Sequence, residues 1–164
     1  MDHSIAYLAP SSRIWIFQSD RFLSNKEHEL IKKIMDEFIP QWASHGNDLY
    51  GGYEIKEKLF LAIGVDESRS PASGCSIDTL TRTIKEIGVQ LNIDFFNRMA
   101  ISYVNTNEEI EIISMNEFKR LIVENKVNEN TIVYNNLVNT KQDFDTNWRT
   151  TAKNSWHTNL FELA

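Results

Sequence analysis

The sequence predicts an α+β fold. Short β-branched and aromatic runs read as strands, longer stretches with apolar residues at three- and four-residue steps read as helices, and the two kinds interleave along the chain. With 164 residues, 41% hydrophobic and 24% charged, and only six Gly and three Pro, the composition excludes collagenous, low-complexity and fully disordered chains. That length corresponds to a single domain spanning 1–164.

Arg13 to Phe17 (Arg-Ile-Trp-Ile-Phe) reads as the first strand. Ser24-Asn-Lys-Glu27 is a capping box, and Leu30, Ile31, Ile34, Met35 and Phe38 continue a helix that Pro40 ends or kinks at Ile39. A loop over 43–48 leads to two strands, Leu49 to Lys56 and Lys58 to Val65, which pair as a hairpin. Ile77, Leu80, Ile84, Ile87 and Leu91 define a second amphipathic helix with Ser76 as its expected N-cap. A second hairpin follows, Arg98 to Val104 with Glu108 to Ile113, and then a short helix capped by Ser114 and Glu117 that ends near Asn125. Thr131 to Tyr134 is the last expected strand. Residues 137–164 read as a polar tail anchored on the domain by aromatic residues such as Phe144, Trp148 and Trp156.

The first six elements follow the ferredoxin-like order βαββαβ, and a βαβ extension completes a mixed or antiparallel sheet with about three helices. In that topology the loop carrying His45 and Asp48 lies beside the one carrying Asp66, Ser68 and Cys75.

Seventeen Lys and Arg against 23 Asp and Glu give a net charge of -6, which opposes attraction to phosphate backbones and anionic lipid. Nucleic acid and membrane are therefore not expected partners. The arginines Arg13, Arg21, Arg69 and Arg98 are dispersed and form no phosphate-reading patch. The single cysteine cannot form an intramolecular disulfide, and the N-terminal segment lacks the basic and apolar regions of a secretory signal, so a cytoplasmic setting is expected. Two edge strands, Tyr53 to Lys56 and Thr131 to Tyr134, leave a homodimer open, although charged residues at a sheet edge oppose pairing.

The sharpest chemical feature is Ser73-Gly-Cys-Ser76 ahead of a helix, where free amides and the helix dipole stabilise a thiolate or hold an anion. Cys75 is the candidate nucleophile, His45 its candidate base and Asp66 or Asp48 the carboxylate that orients the imidazole. The alternative is a small residue packed under the helix start. The tyrosine-phosphatase spacing fails, because position 81 is Thr81 and the arginine is Arg82. Asp48, Ser68, Ser73, Gly74 and Ser76 are the candidate ligand-binding residues of the same edge. Asp66, closing a buried strand, also stands where magnesium-dependent phosphate chemistry places a carboxylate, with Asp48 or Asp78 as its partner, although turn chemistry explains an Asp there as well. His3, His28, His45 and His157 show no metal-ligand spacing, so neither a structural metal nor a cofactor is expected. Neither Gly-x-Gly-x-x-Gly nor Gly-x-x-x-x-Gly-Lys-Ser/Thr occurs.

Five segments, Trp15-Ile-Phe-Gln-Ser-Asp-Arg21, Gln41-Trp-Ala-Ser-His-Gly46, Val65-Asp-Glu-Ser68 with Ser73-Gly-Cys-Ser-Ile-Asp78, Thr131 to Thr140, and Ser155-Trp156, together resemble a family of small, uncharacterised bacterial cytoplasmic proteins. Its members often carry the label ABC transporter ATPase. The missing phosphate-binding loop contradicts that label for this chain. The resemblance implies a cytoplasmic setting and no catalytic residue. The leading expectation is a non-enzymatic module that binds a protein or a small ligand. The alternatives are a cysteine-dependent hydrolase or transferase using Cys75 with His45, and metal-dependent phosphate chemistry at Asp66.

Overall fold

A computed structural model describes residues 3–44 and 46–163. The chain divides into two compact units, Met1–Phe96 with Asn139–Gln142, and Asn97–Val138 with Asp143–Ala164. Both combine helices with antiparallel strands, so the α+β class holds. No helix among the described residues is long and apolar enough to cross a membrane.

In the first unit, β1 (Arg13–Gln18), β4 (Gly51–Lys56) and β5 (Phe60–Val65) form an antiparallel sheet in the order β1-β5-β4. The register sets Trp15 against Ile63 and Ile63 against Tyr53, so odd-numbered residues of all three strands share one face. Helices α1 (Asn25–Gln41) and α2 (Gly74–Leu91) bury their stripes there: Ile31, Met35 and Ile39 from one, Leu80, Ile84 and Ile87 from the other. The β4–β5 turn places Glu57 and Lys58 at φ 56° and 51°, both left-handed. Leu59 N–H donates back to the Lys56 carbonyl at 3.0 Å.

The capping box of α1 forms as read: Ser24 Oγ accepts from the Glu27 amide, and Glu27 Oε1 from the Ser24 amide. Helix α1 continues through Pro40 to Gln41, because a proline in the last turn removes one amide and the Trp42 N–H closes the end onto the Ile39 carbonyl. The N-cap of α2 is Ser73, three residues before the expected Ser76. The two serines cap each other reciprocally, which adds one turn to the helix. At its far end Asn92 turns left-handed, and Ile93 folds back so closely that a Cβ on Gly88 would lie 2.5 Å from the Ile93 carbonyl oxygen. Arg21 ties these ends together. Its guanidinium grips both Glu27 oxygens at 2.8 and 2.6 Å, and its Nη2 also donates to the Leu91 carbonyl at 2.7 Å. That grip first, and the Ser24 amide second, push the Glu27 carboxyl down to about 2.

The ferredoxin-like order is not completed in this sheet. The edge of β1 where a fourth strand belongs instead meets Asn139 and Thr140, through Ile14 N–H donating to the Asn139 carbonyl at 3.0 Å and a bridge between Arg13 and Thr140. The expected fourth strand, β6 (Ala100–Val104), pairs in the second unit with its hairpin mate β7 (Ile110–Ser114), since the short intervening turn closes that contact at little entropic cost. There the sheet order is β7-β6-β8-β9, with β8 at Ile132–Tyr134 and β9 at Arg149–Thr151. The segment holding Thr131 to Tyr134 is therefore an interior strand, not an edge. Thr131 and Ala152, just outside β8 and β9, extend the pairing, since the Ala152 N–H donates to the Thr131 carbonyl.

Helix α3 (Met115–Val123) and helix α5 (Thr158–Leu163) bury Phe118 and Leu160 in a core with Ile101, Tyr103 and Val133. Residues 137–164 are thus built of elements: α4 (Lys141–Asn147), β9 and α5. Phe144 and Trp148 are buried and packed on each other. His157 is 1% exposed, stacked on Trp156 and edge-on to Phe118, with Nδ1 2.7 Å from Ser155 Oγ. Burial pushes its imidazole down to about 4.

Candidate functional site

Within the first unit the segment after α1 runs beside the start of α2 and the loop after β5, while His45 lies outside the described residues. A two-residue ribbon, β2 (Ala43–Ser44) with β3 (Asn47–Asp48), follows α1 where a loop was expected. Trp42 is buried, and its Nε1 donates to the Ser76 carbonyl at 2.9 Å, bringing the segment after α1 to the start of α2. The Asp66 amide donates to the Tyr50 carbonyl at 2.9 Å.

The polar groups of these segments are committed to local structure. Asp66 Oδ1 accepts from both the Ser68 amide (3.1 Å) and the Ser68 hydroxyl (2.6 Å), a turn lock that engages this oxygen within its own loop. Ser73 Oγ accepts from the Ser76 amide, and Ser76 Oγ accepts from the Ser73 amide and donates to the Ser73 carbonyl. Ser76 is buried in that role. Asp48 and Asp78 are exposed, and a Cβ at Gly74 would meet open space. Cys75 is exposed, in the first turn of α2, and not packed beneath it. Among the described residues, no group of three or more His, Cys, Asp and Glu side chains is placed to hold a metal ion.

A different region of the same unit carries a denser polar constellation around an open groove of about 590 Å³ between α1 and the outer edge of β4. Three pieces of chain build it. The N-terminal segment supplies His3 and Ser4, pinned to the strand by Tyr53 N–H donating to the His3 carbonyl at 2.8 Å. Helix α1 supplies His28, Lys32 and Asp36, which share a face because they are four residues apart. Strand β4 supplies Tyr53, Glu54 and Ile55.

Asp36 is the hub. The Tyr53 hydroxyl donates to its Oδ1 at 2.6 Å, and Lys32 Nζ donates to its Oδ2 at 2.9 Å. The tyrosine hydrogen bond first and the lysine second hold the Asp36 carboxyl below the usual carboxylate range. Tyr53 is buried, so its ring fixes the hydroxyl while the helix fixes the other two groups. Nearby, Glu54 accepts from Ser4 Oγ at 3.0 Å through Oε1 and pairs with Lys56 at 3.3 Å through Oε2.

Sequence reasoning missed this groove. The Lys32–Asp36 spacing is visible in the sequence, but such a pair reads as an ordinary solvated helix face. Nothing in the sequence brings Ser4 to Glu54, fifty residues away. No family model, curated protein or solved structure matches this chain.

Proposed function

We propose that the chain is a non-enzymatic module that binds a small ligand in the groove between α1 and β4. The observation that carries this reading is the Tyr53–Asp36–Lys32 network: two elements, β4 and α1, hold donors and acceptors in fixed positions along the wall of a groove of metabolite size. Preorganised polar groups beside an apolar side chain such as Ile55 give a ligand both orientation and contact area at low ordering cost. A cytoplasmic setting goes with this proposal and rests on the single cysteine.

The test is amide chemical-shift mapping of the full chain against acidic, basic and neutral small metabolites. Shifts concentrated at His28, Lys32, Asp36, Tyr53 and Ile55 are the expected result. Compounds that bind only elsewhere, or no binder in any class, overturn the proposal.

A further inference from the structure

We propose that the outer edge of β7 takes up an extended, basic segment of another protein as an added strand of the second unit's sheet. In the order β7-β6-β8-β9, β6 lies on one side of β7 and no strand on the other. The hydrogen bonds at the two ends of the hairpin fix which backbone groups face which way: Asn105 N–H donates to the Glu109 carbonyl at 2.8 Å, and Met115 N–H to the Met99 carbonyl at 3.0 Å. Hydrogen-bonded and non-hydrogen-bonded pairs alternate along an antiparallel ladder, so β6 engages the backbone of Glu109, Glu111 and Ile113. The N–H and C=O of Ile110 and Ile112, with the N–H of Ser114, point to the open side. Among the described residues no hydrogen bond or bridge reaches those groups from that side.

The sign of the charge along this edge selects the occupant. Ile110 and Ile112 are half-buried on one face of the strand, while Glu109 and Glu111 stand on the other. Glu108 precedes them in the turn, and Glu117 follows in the first turn of α3. All four glutamates are exposed, and none forms an ion pair among the described residues. The hydroxyl of Tyr103 donates to Glu111 without neutralising it, and the chain holds no Lys or Arg between Arg98 and Lys119. A second copy paired edge to edge about a two-fold axis sets the carboxylates of both β7 strands on one face, where like charges repel. An incoming strand with Lys or Arg beside Glu109 and Glu111, and β-branched residues opposite Ile110 and Ile112, matches the open backbone groups, the charge and the apolar face together. The edge belongs to the second unit and the groove between α1 and β4 to the first, so this proposal stands apart from the ligand reading.

The experiment is titration of the full chain with acetyl-Thr-Lys-Val-Lys-Val-Lys-Thr-amide at low salt, read by amide shifts. Alongside run the same peptide with Glu for every Lys, and the same peptide N-methylated at both valines. A valine opposite Ile110 or Ile112 exchanges backbone hydrogen bonds with it, so N-methylation removes donors and keeps the charge. The expected result is that the basic peptide shifts the Ile110, Ile112 and Ser114 amides, the glutamate peptide leaves them unmoved, and the N-methylated peptide binds about tenfold more weakly. Ile112→Pro, which deletes an amide facing away from β6, and Glu109→Lys, at an exposed residue, should each weaken the basic peptide about fivefold or more. If Ile112→Pro does not fold, Glu109→Lys and the three peptides decide the matter. The proposal is overturned if the basic peptide leaves β7 unshifted, if the N-methylated or the glutamate peptide binds equally well, or if Glu109→Lys leaves the affinity unchanged. Shifts of the same amides with protein concentration, in the absence of any peptide, would mean pairing with a second copy and overturn it as well.

Discussion

Acidification should weaken the second unit through one residue, His157. Its ring is 1% exposed, between Trp156 and Phe118, and burial pushes it down to about 4, against an ordinary imidazole near 6.5. A cationic group whose folded value is depressed binds its proton more readily in the unfolded chain. Its penalty is therefore absent above about pH 6.5, grows as pH falls and levels off below about 4. At about pH 5 the unfolded imidazole is almost fully protonated and the folded one is not, a ratio of about thirty, or about 2 kcal/mol of lost stability; the limit at lower pH is about 3 kcal/mol. The assay is native-state amide exchange at Phe118 and Leu160, which share a core with the ring, between about pH 7 and 5, in the wild type and in His157→Gln. After correction for intrinsic exchange rates, the wild type should lose about 2 kcal/mol more than the variant across that interval. Parallel pH profiles for the two proteins would refute the reasoning, whatever the variant does to stability at neutral pH.

Gly88→Ala should destabilise the first unit by about 2 kcal/mol, since the added Cβ would lie 2.5 Å from the Ile93 carbonyl oxygen; urea unfolding followed at Trp42 measures it, and an unchanged midpoint contradicts the predicted overlap. Lys58→Gly should stabilise by about 0.5–1 kcal/mol, because Lys58 holds a left-handed turn position that glycine adopts without strain; a fall in thermal midpoint would count against it. Tyr53→Phe should raise the Asp36 carboxyl toward its ordinary range by removing the largest contribution to its lowering, as read from the carboxyl carbon shift against pH. Alkylation of Cys75 by iodoacetamide should be rapid in the native protein, since the side chain is exposed; protection equal to that of a core residue would contradict its position.

Much of the first unit was legible because its signals are local. Ser24 and Glu27 lie three residues apart and cap the same turn, and the run from Leu59 to Val65 has to be a buried strand once its hairpin mate is placed. Ser76 was misread for a related reason: a serine three residues after another can be the cap or the box partner, and the hydrogen bonds, not the spacing, decide which. Strand partners further off were not legible. Whether β6 joins β1 or its own hairpin mate depends on which edge is open after collapse, and β9, with its sequence Arg-Thr-Thr, has no apolar alternation to announce it. At the edge predicted from the sequence, the commitment of Asp66 to Ser68 was not legible, because an Asp closing a strand reads equally as a ligand or as a turn residue. The groove was invisible because its residues look like solvated surface until the chain before β1 returns to β4.

Arg21 joins the first turn of α1, through Glu27, to the last carbonyls of α2, through Leu91. Helix ends fray independently when nothing connects them. Here opening either end first requires the same guanidinium to let go, so the two ends should open as one kinetic event, with amides after Ser24 and those near Asn92 exchanging at matched rates. Arg21→Lys, which keeps the charge but not the forked geometry, should separate those rates, leaving two helices that breathe on their own clocks.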